Sequence, residues 1–468
     1  MNYLLDVEEL KNLIKPKTKG IGVTHDTGKI TAVLPFVSSK KTNIIKYNFS
    51  QVLGEFTRLL SNVKLDVEKE GQDLETHFGE NATLSKVTEV VMCENEDIRY
   101  DLHRFLDDFL YGNSNRIKPI HPYVYNYYPL SEKSKEEKKF AQFTKDVLIG
   151  EKDKLSYLFE KNEGEDILTS LILKKLNNLV DVEKPKSSYA PVLNVISERF
   201  KEDLIFISKY RDYFLEHYPL LVHYYFFLYV TQLTLKFDEF ESADYAQVQP
   251  LYFGLEWESI NKRRKAASEM EGYKRLKDKA KHLFVHIHTL SQLSHNTFNQ
   301  NKMFMTYVDI YNTLNETSEE DQTTFLNSLN EWIKEYIERS KIEIPYVRSE
   351  NVKEAFRMLF KCLKEGMSTP VVLKYGTSVE DTAVDKFLKV RGNLGYTLNL
   401  TQDFLLMITA VAVKNDRIPL KQLFEEFEKR GIALDRYSQK EVIELLDNLN
   451  ILDKKSDSGD AQYVKPIL

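Results

Sequence analysis

Residues 219–235 constrain the fold of this chain more than any other stretch. The run is almost continuously apolar or aromatic, yet it carries His223, Thr231 and Gln232, and Tyr224, Tyr225 and Tyr229 stud it, with Tyr218 just before it. It falls short of the ~20 predominantly apolar residues that a membrane crossing needs. A segment apolar on every side must be covered by other protein elements instead, which predicts a buried, aromatic-rich helix. Residues 195–235 read as one or two long helices, with Pro219 as the break because proline lacks the amide that the helix uses.

Helical periodicity extends over residues 140–364. The clearest face is Phe325, Leu326, Leu329, Trp332, Ile333, Tyr336 and Ile337, at i, i+3, i+4, i+7 spacing. With 17 Gly and 13 Pro in 468 residues, the turn-rich chemistry of an all-β protein is missing. Toward the N-terminus, residues 7–14 form a short predicted helix stopped near Pro16, and residues 20–23 and 29–34 read as short strands around a His25-Asp26-Thr27-Gly28 turn. Apolar spacing predicts helices over 51–60 and 102–110, the second broken by Gly112-Asn113-Ser114-Asn115. A proline-punctuated, tyrosine-rich connector at 118–129 precedes a mixed-charge run, and a boundary is placed there.

The last 80 residues change character. A glycine-punctuated, partly alternating stretch at 387–400 leads into an apolar run at 404–413. Pro419 suits a first helical turn and Gly431 a helix end. Ser438-Gln439-Lys440-Glu441 reads as a capping box opening a helix that carries Val442, Ile443, Leu445, Leu446 and Leu449. Residues 451–455 and 461–465 then flank Asp457-Ser458-Gly459-Asp460 as a hairpin. Three helices followed by a hairpin is the winged-helix plan. The expected architecture is therefore a mainly α multidomain protein: a mixed α/β region over 1–130, a helical body over 131–385, and a C-terminal winged-helix (α+β) domain over 386–468.

Net charge is −6, so bulk charge does not drive nucleic-acid binding and any contact must come from a local patch. The densest basic segment is 261–281. Lys262, Arg263, Arg264, Lys265, Lys274, Arg275, Lys277, Lys279 and Lys281 face only Glu269, Glu271 and Asp278 there. Such clustered cations serve phosphate binding, although many charge runs are simply solvated helix faces. On the predicted hairpin, Lys454, Lys455 and Lys465 are further phosphate candidates. The C-terminal region is otherwise acidic, with 12 acidic against 10 basic residues over 401–468. Glu441, Glu444 and Asp447 on the third helix oppose phosphate, so DNA contact and protein docking both stay open for it.

Other chemistry is weakly signalled. His282, His286, His288 and His295 split between two helix faces with no cysteine to complete a zinc tetrad, so exposed or capping histidines are expected rather than a metal site. Gly22 to Lys29 imitates a phosphate loop but has five residues between its glycines, and Ile30 stands where a magnesium-holding Ser or Thr is required. No nuclease motif or nucleophile elbow is present. No catalytic residue, metal or cofactor is expected. Cys93 and Cys362 form no disulfide framework, and the start of the chain does not read as a secretory signal, which together point to the cytoplasm and no membrane partner.

Five stretches carry a family resemblance: Pro250-Leu251-Tyr252-Phe253-Gly254-Leu255-Glu256-Trp257; Arg391-Gly392-Asn393-Leu394-Gly395-Tyr396; Gln402-Asp403-Phe404-Leu405-Leu406; Lys429-Arg430-Gly431; and Lys455-Ser456-Asp457-Ser458-Gly459-Asp460-Ala461-Gln462-Tyr463-Val464. Together they resemble the DptG-type subunit of DNA-phosphorothioation-dependent restriction systems, most clearly over the last 80 residues. The resemblance implies a bacterial antiviral defence role: a complex that attacks DNA lacking a sulfur mark, with the ATP-driven motor on partner subunits. The chain would then be an accessory, non-catalytic subunit that docks partner ATPases and helps hold duplex DNA. A metal-dependent DNA nickase with a site assembled only in the fold, and a scaffold without DNA contact, are the alternatives.

Overall fold

The computed structural model describes residues 3–18, 22–37, 43–66, 93–110, 118–128, 135–150, 155–162, 166–454 and 462–468. It is mainly helical, with a few small sheets. Two compact units divide the chain, one from residues 1–46, 188–199 and 225–468, the other from 47–187 and 200–224. No helix among the described residues is long and apolar enough to cross a membrane.

In chain order the elements begin with α1 (Val7–Leu13), α2 (Asn43–Ser61), β1 (Val63–Leu65), α3 (Glu96–Leu110), α4 (Lys135–Leu148), α5 (Ile167–Lys175) and β2 (Leu179–Asp181). Then come α6 (Asn194–Ile207), α7 (Arg211–Asp238), β3 (Leu251–Tyr252), β4 (Gly254–Leu255), α8 (Tyr273–Ala280) and α9 (Leu283–Ser294). They are followed by α10 (Tyr307–Asn315), α11 (Glu319–Ser340), α12 (Val352–Gly366), α13 (Thr369–Asp381), β5 (Leu388–Val390) and β6 (Tyr396–Leu400). The chain ends with α14 (Gln402–Val413), β7 (Ile418–Pro419), α15 (Leu420–Glu428), β8 (Ile432–Ala433), α16 (Arg436–Asn448), β9 (Leu452–Lys454) and β10 (Gln462–Val464).

In the unit containing residues 47–187, β1 and β2 pair antiparallel, with Val63 opposite Asp181. Pro219 does not break the long apolar helix, contrary to the sequence expectation; the interruption falls at 208–210 and Pro219 lies inside α7. The reason is local. Proline leaves the carbonyl four residues back without a donor, and the Tyr125 hydroxyl donates to that carbonyl, Leu215 O, at 2.5 Å. The Tyr218 hydroxyl lies 2.9 Å from the Thr57 hydroxyl. Arg58, fully buried, donates to the carbonyls of Asn126 at 2.9 Å and Tyr128 at 2.8 Å, and so fixes the connector that carries Tyr125. Gly54 lets that connector approach: a Cβ there would lie 2.6 Å from Tyr128 Cβ and 2.8 Å from its carbonyl oxygen. Gly54→Ala should therefore destabilise this unit by about 2 kcal/mol, because overpacking outweighs the gain in helix propensity. A shift of the denaturation midpoint followed by circular dichroism checks this, and a stabilised variant would contradict it.

In the unit containing residues 225–468, α11 buries Phe325, Leu329, Trp332, Ile333 and Tyr336 of the face read from its spacing, while Leu326 and Ile337 at its edges are half-buried. The Trp332 indole donates to Gln292 Oε1 at 2.9 Å, which ties that face to α9. Residues 20–23 and 29–34 do not form a two-stranded ladder. Val23 bridges Pro16 and Ala32 bridges Tyr189, while Thr31 donates to Lys302 O at 3.1 Å. Gly22 and Val23 thus pair locally, with residues 15–17 just before them, whereas Thr31 and Ala32 pair with distant segments, so among the described residues the two stretches form no ladder with each other. Gly20 and Ile21 lie outside the described residues.

The C-terminal stretch runs helix, strand, helix, strand, helix, strand, strand. β10 pairs antiparallel with both β7 and β9, giving the order β7-β10-β9. The Asp457–Asp460 turn lies outside the described residues. β5 and β6 are antiparallel, joined by a turn in which Gly395 takes φ +72°, open to glycine at little cost. β4 lies parallel to β6, and β3 lies parallel to β8. Residues 251–255, just ahead of the basic segment, are thus strand partners of the C-terminal residues.

Candidate nucleic-acid interface

The short strands β3 and β4 anchor the start of the basic segment, and Arg264 anchors the loop beyond them. Its Nε donates to Asp435 Oδ2 at 2.6 Å, and one terminal nitrogen reaches Asp435 Oδ1 at 2.9 Å and Glu258 Oε2 at 2.7 Å. The same nitrogen donates to the Ser438 hydroxyl at 2.9 Å, and the other to Ser259 O at 3.2 Å. The guanidinium also lies 5.0 Å from the Tyr437 ring centroid. Glu258 is equally occupied, since its Oε1 accepts from the Leu255 amide and the Ser438 hydroxyl, both at 2.7 Å. Arg391 braces the same loop by donating to the carbonyls of Leu255 and Glu258.

Asp435 does double work. Its carboxylate accepts from the amides of Tyr437 at 3.0 Å and Ser438 at 3.1 Å, so it caps α16. Burial alone would push its carboxyl up, but the Arg264 bonds and these amides outweigh that and hold it below the usual range. The capping box read at Ser438 is therefore corrected. The helix opens three residues earlier, and Ser438 is buried in its first turn with its hydroxyl committed to Glu258.

Most of the basic segment is neutralised within the protein. Lys265 pairs with Glu271 at 3.1 Å and donates to the Tyr252 hydroxyl at 2.9 Å. Lys274 lies 3.8 Å from Glu269, Lys277 is 3.1 Å from Glu380, Lys279 is 2.8 Å from Asp238, and Lys281 is 3.0 Å from Asp278. Arg275 donates to Gln249 Oε1 at 2.9 Å. Sequence counting saw three opposing acids, but Asp238, Glu258, Glu380 and Asp435 arrive through the fold. Lys262 and Arg263 remain exposed, with no ion pair among the described residues.

The same ion pair brings two cations of the basic segment next to a helix start that carries two others, Arg436 and Lys440, which the sequence did not single out. Lys262 and Arg263 immediately precede Arg264, and Arg436 immediately follows Asp435. Arg436 is exposed, stacks 4.7 Å from the Tyr437 ring and donates to its hydroxyl at 2.7 Å. Lys440, one turn further along α16, is also exposed, and neither Arg436 nor Lys440 has an ion pair among the described residues. Glu441 follows Lys440 directly and Glu444 and Asp447 occupy the later turns, so the first turn of α16 carries no acid and the acids begin after Lys440. Lys454 lies in β9, and Lys455 lies outside the described residues.

The histidines expected to be exposed or capping are mostly interior. His286, His288 and His295 are buried. Burial pushes the Cys362 thiol up to about 11, which leaves it a poor nucleophile. No protein-family model matches this chain, and no curated protein matches it.

Proposed function

We propose that the chain is an accessory, non-catalytic DNA-holding subunit whose grip lies where the basic loop meets the start of α16. The observation that carries this reading is the Arg264–Asp435 pair, which joins the loop bearing Lys262 and Arg263 to the capped start of the helix that bears Arg436 and Lys440. Strand order β7-β10-β9 with three helices supports a winged-helix reading of the C-terminal region. In that plan the opening of the recognition helix enters the major groove and flanking cations contact phosphates. Within this reading, Arg264 organises the site rather than touching DNA. The resemblance to DptG-type subunits, clearest over the last 80 residues, extends the proposal to an antiphage restriction complex with partner ATPases, and the looser match at 250–257 lies beside that region as strand partners.

The test is a duplex-DNA titration against salt with all four cations reversed to Glu. Each lost phosphate contact removes about 0.9 from the slope of log affinity against log salt. The fourfold variant should bind far more weakly and with a flatter slope. Reversing Lys274 and Lys277, which are paired within the protein, should cost much less. Unchanged affinity and slope in the fourfold variant would remove this face as the DNA site. Co-purification from the native cell tests the partner subunits separately.

A further inference from the structure

A second polar site lies away from the four cations, in a groove of about 470 Å³ between the end of α7 and the 239–250 loop, with Arg275 of α8 on its wall. Lys236 lines this groove although only 1% of the residue is exposed. Its ammonium has no hydrogen bond and no ion pair among the described residues. The stem is buried while the ammonium reaches the groove without a protein acceptor, and a cation so enclosed is favoured by anything in the groove that supplies acceptors. Its place in the last turn of α7 gives it the negative end of the helix dipole, but the carbonyls there do not bond to it.

The walls are fixed. The Gln232 amide brackets Gln249, donating to its carbonyl at 2.7 Å and accepting from its backbone amide at 2.8 Å. The Gln249 side chain in turn donates to Glu239 Oε1 at 2.6 Å and accepts from Arg275. Glu239 is thus held by the wall, and Asp244 Oδ1 accepts from the Ala246 amide at 2.8 Å. Burial disfavours charge on Lys236, Glu239 and then Asp244 pull the other way, and Arg275 adds the smallest push against charge. The cation lacks acceptors, while one oxygen of each neighbouring carboxylate is already engaged.

We propose that this groove binds a single oxyanion, a phosphate or phosphate monoester, between the Lys236 ammonium and the Arg275 guanidinium. Two nearby carboxylates limit how much negative charge it accepts, so a monophosphate is favoured over a polyphosphate. The site is independent of the DNA-holding face and does not share its four cations.

The experiment is calorimetric titration of the full chain with inorganic phosphate, a nucleoside 5′-monophosphate and a nucleoside triphosphate, at ionic strength held constant with chloride. Saturable binding of phosphate or the monophosphate is expected, weaker for the triphosphate. The tighter of the first two identifies free or esterified phosphate as the source. Lys236→Met, which keeps the length of the side chain without its charge, should weaken binding about tenfold or more. Arg275→Gln, on the groove wall, should weaken it too, and circular dichroism checks that both variants fold. No saturable binding of either monophosphate probe, equal affinity in Lys236→Met, or tighter binding of the triphosphate would overturn the proposal.

Discussion

Replacing Arg264 with Met is expected to destabilise the protein by about 3–5 kcal/mol, the range for breaking a buried ion pair from one side. The side chain is 9% exposed, and its loss strands the carboxylates of Glu258 and Asp435 in the interior. It also leaves the Ser438 hydroxyl and Ser259 carbonyl short of a partner. Lys is not an adequate substitute, since one ammonium cannot span both oxygens of Asp435 together with Glu258. Arg264→Lys should therefore lose a smaller but clear amount. The chain has 2 Trp, Trp257 and Trp332, both in the unit that contains Arg264, so tryptophan fluorescence in denaturant follows that unit. Adding Glu258→Gln and Asp435→Asn to Arg264→Met should recover part of the loss, because the stranded charges are then gone. A single variant as stable as the parent would mean that the cluster is solvated and holds nothing. Under the proposed DNA-holding function, DNA affinity should fall with Arg264→Met although Arg264 itself is buried, because the loop bearing Lys262 and Arg263 is released from the start of α16.

Where the sequence was legible, local physics set the structure. The i, i+3, i+4, i+7 face of α11 came out buried because amphipathic spacing alone decides which side faces a core. The end of α15 at Gly431, φ +82°, was legible for a similarly local reason. What the sequence concealed depends on distant partners. Pro219 reads as a break until Tyr125, far earlier in the chain, supplies the donor that the helix cannot. Ser438-x-x-Glu441 satisfies the capping-box pattern, but Asp435 wins because Arg264 holds its carboxylate beside the helix amides. The basic segment looks unopposed along the chain, yet acids from four other places neutralise it. Arg264 carried no signal of its own in the sequence, because Lys265 stands even closer to the small, buried Ala266 and Ala267 and yet pairs with Glu271 and Tyr252. Arg436 and Lys440 were overlooked because the acids later on α16 dominated the charge count, although position along the helix matters more than the total.

The buried histidines make stability fall with acid earlier than carboxylate protonation would. His25 sits with Nε2 2.7 Å from the Tyr336 hydroxyl and its ring 5.9 Å from that of His288. Burial, then Lys17, lowers His25 to about 4. Burial, then His25, lowers His288 to about 3, against a weaker pull from Asp26. His286, buried beside Tyr307, is also held well below its usual value by burial and then by His282 and nearby lysines. Above the ordinary histidine value of 6.5 these groups are neutral in both folded and unfolded chains and cost nothing. Below it the unfolded chain takes up protons that the folded protein refuses, so stability is lost as pH falls from 6.5 toward 4. At pH 5 His25 and His288 have each withdrawn about 2 kcal/mol, a sum reduced by coupling between the two neighbours. Asp435 is held below the usual carboxylate range and stays charged through this window, so the loss between pH 7 and 5 is assigned to histidine. Tryptophan-monitored denaturation at pH 7, 6 and 5 should show a steep decline. His25→Gln, which keeps a partner for Tyr336, should flatten the slope by about one histidine's share whatever it does to stability at pH 7. Stability unchanged between pH 7 and 5 would mean that these rings reach water, and the tight core around α9 and α11 would have to be redrawn.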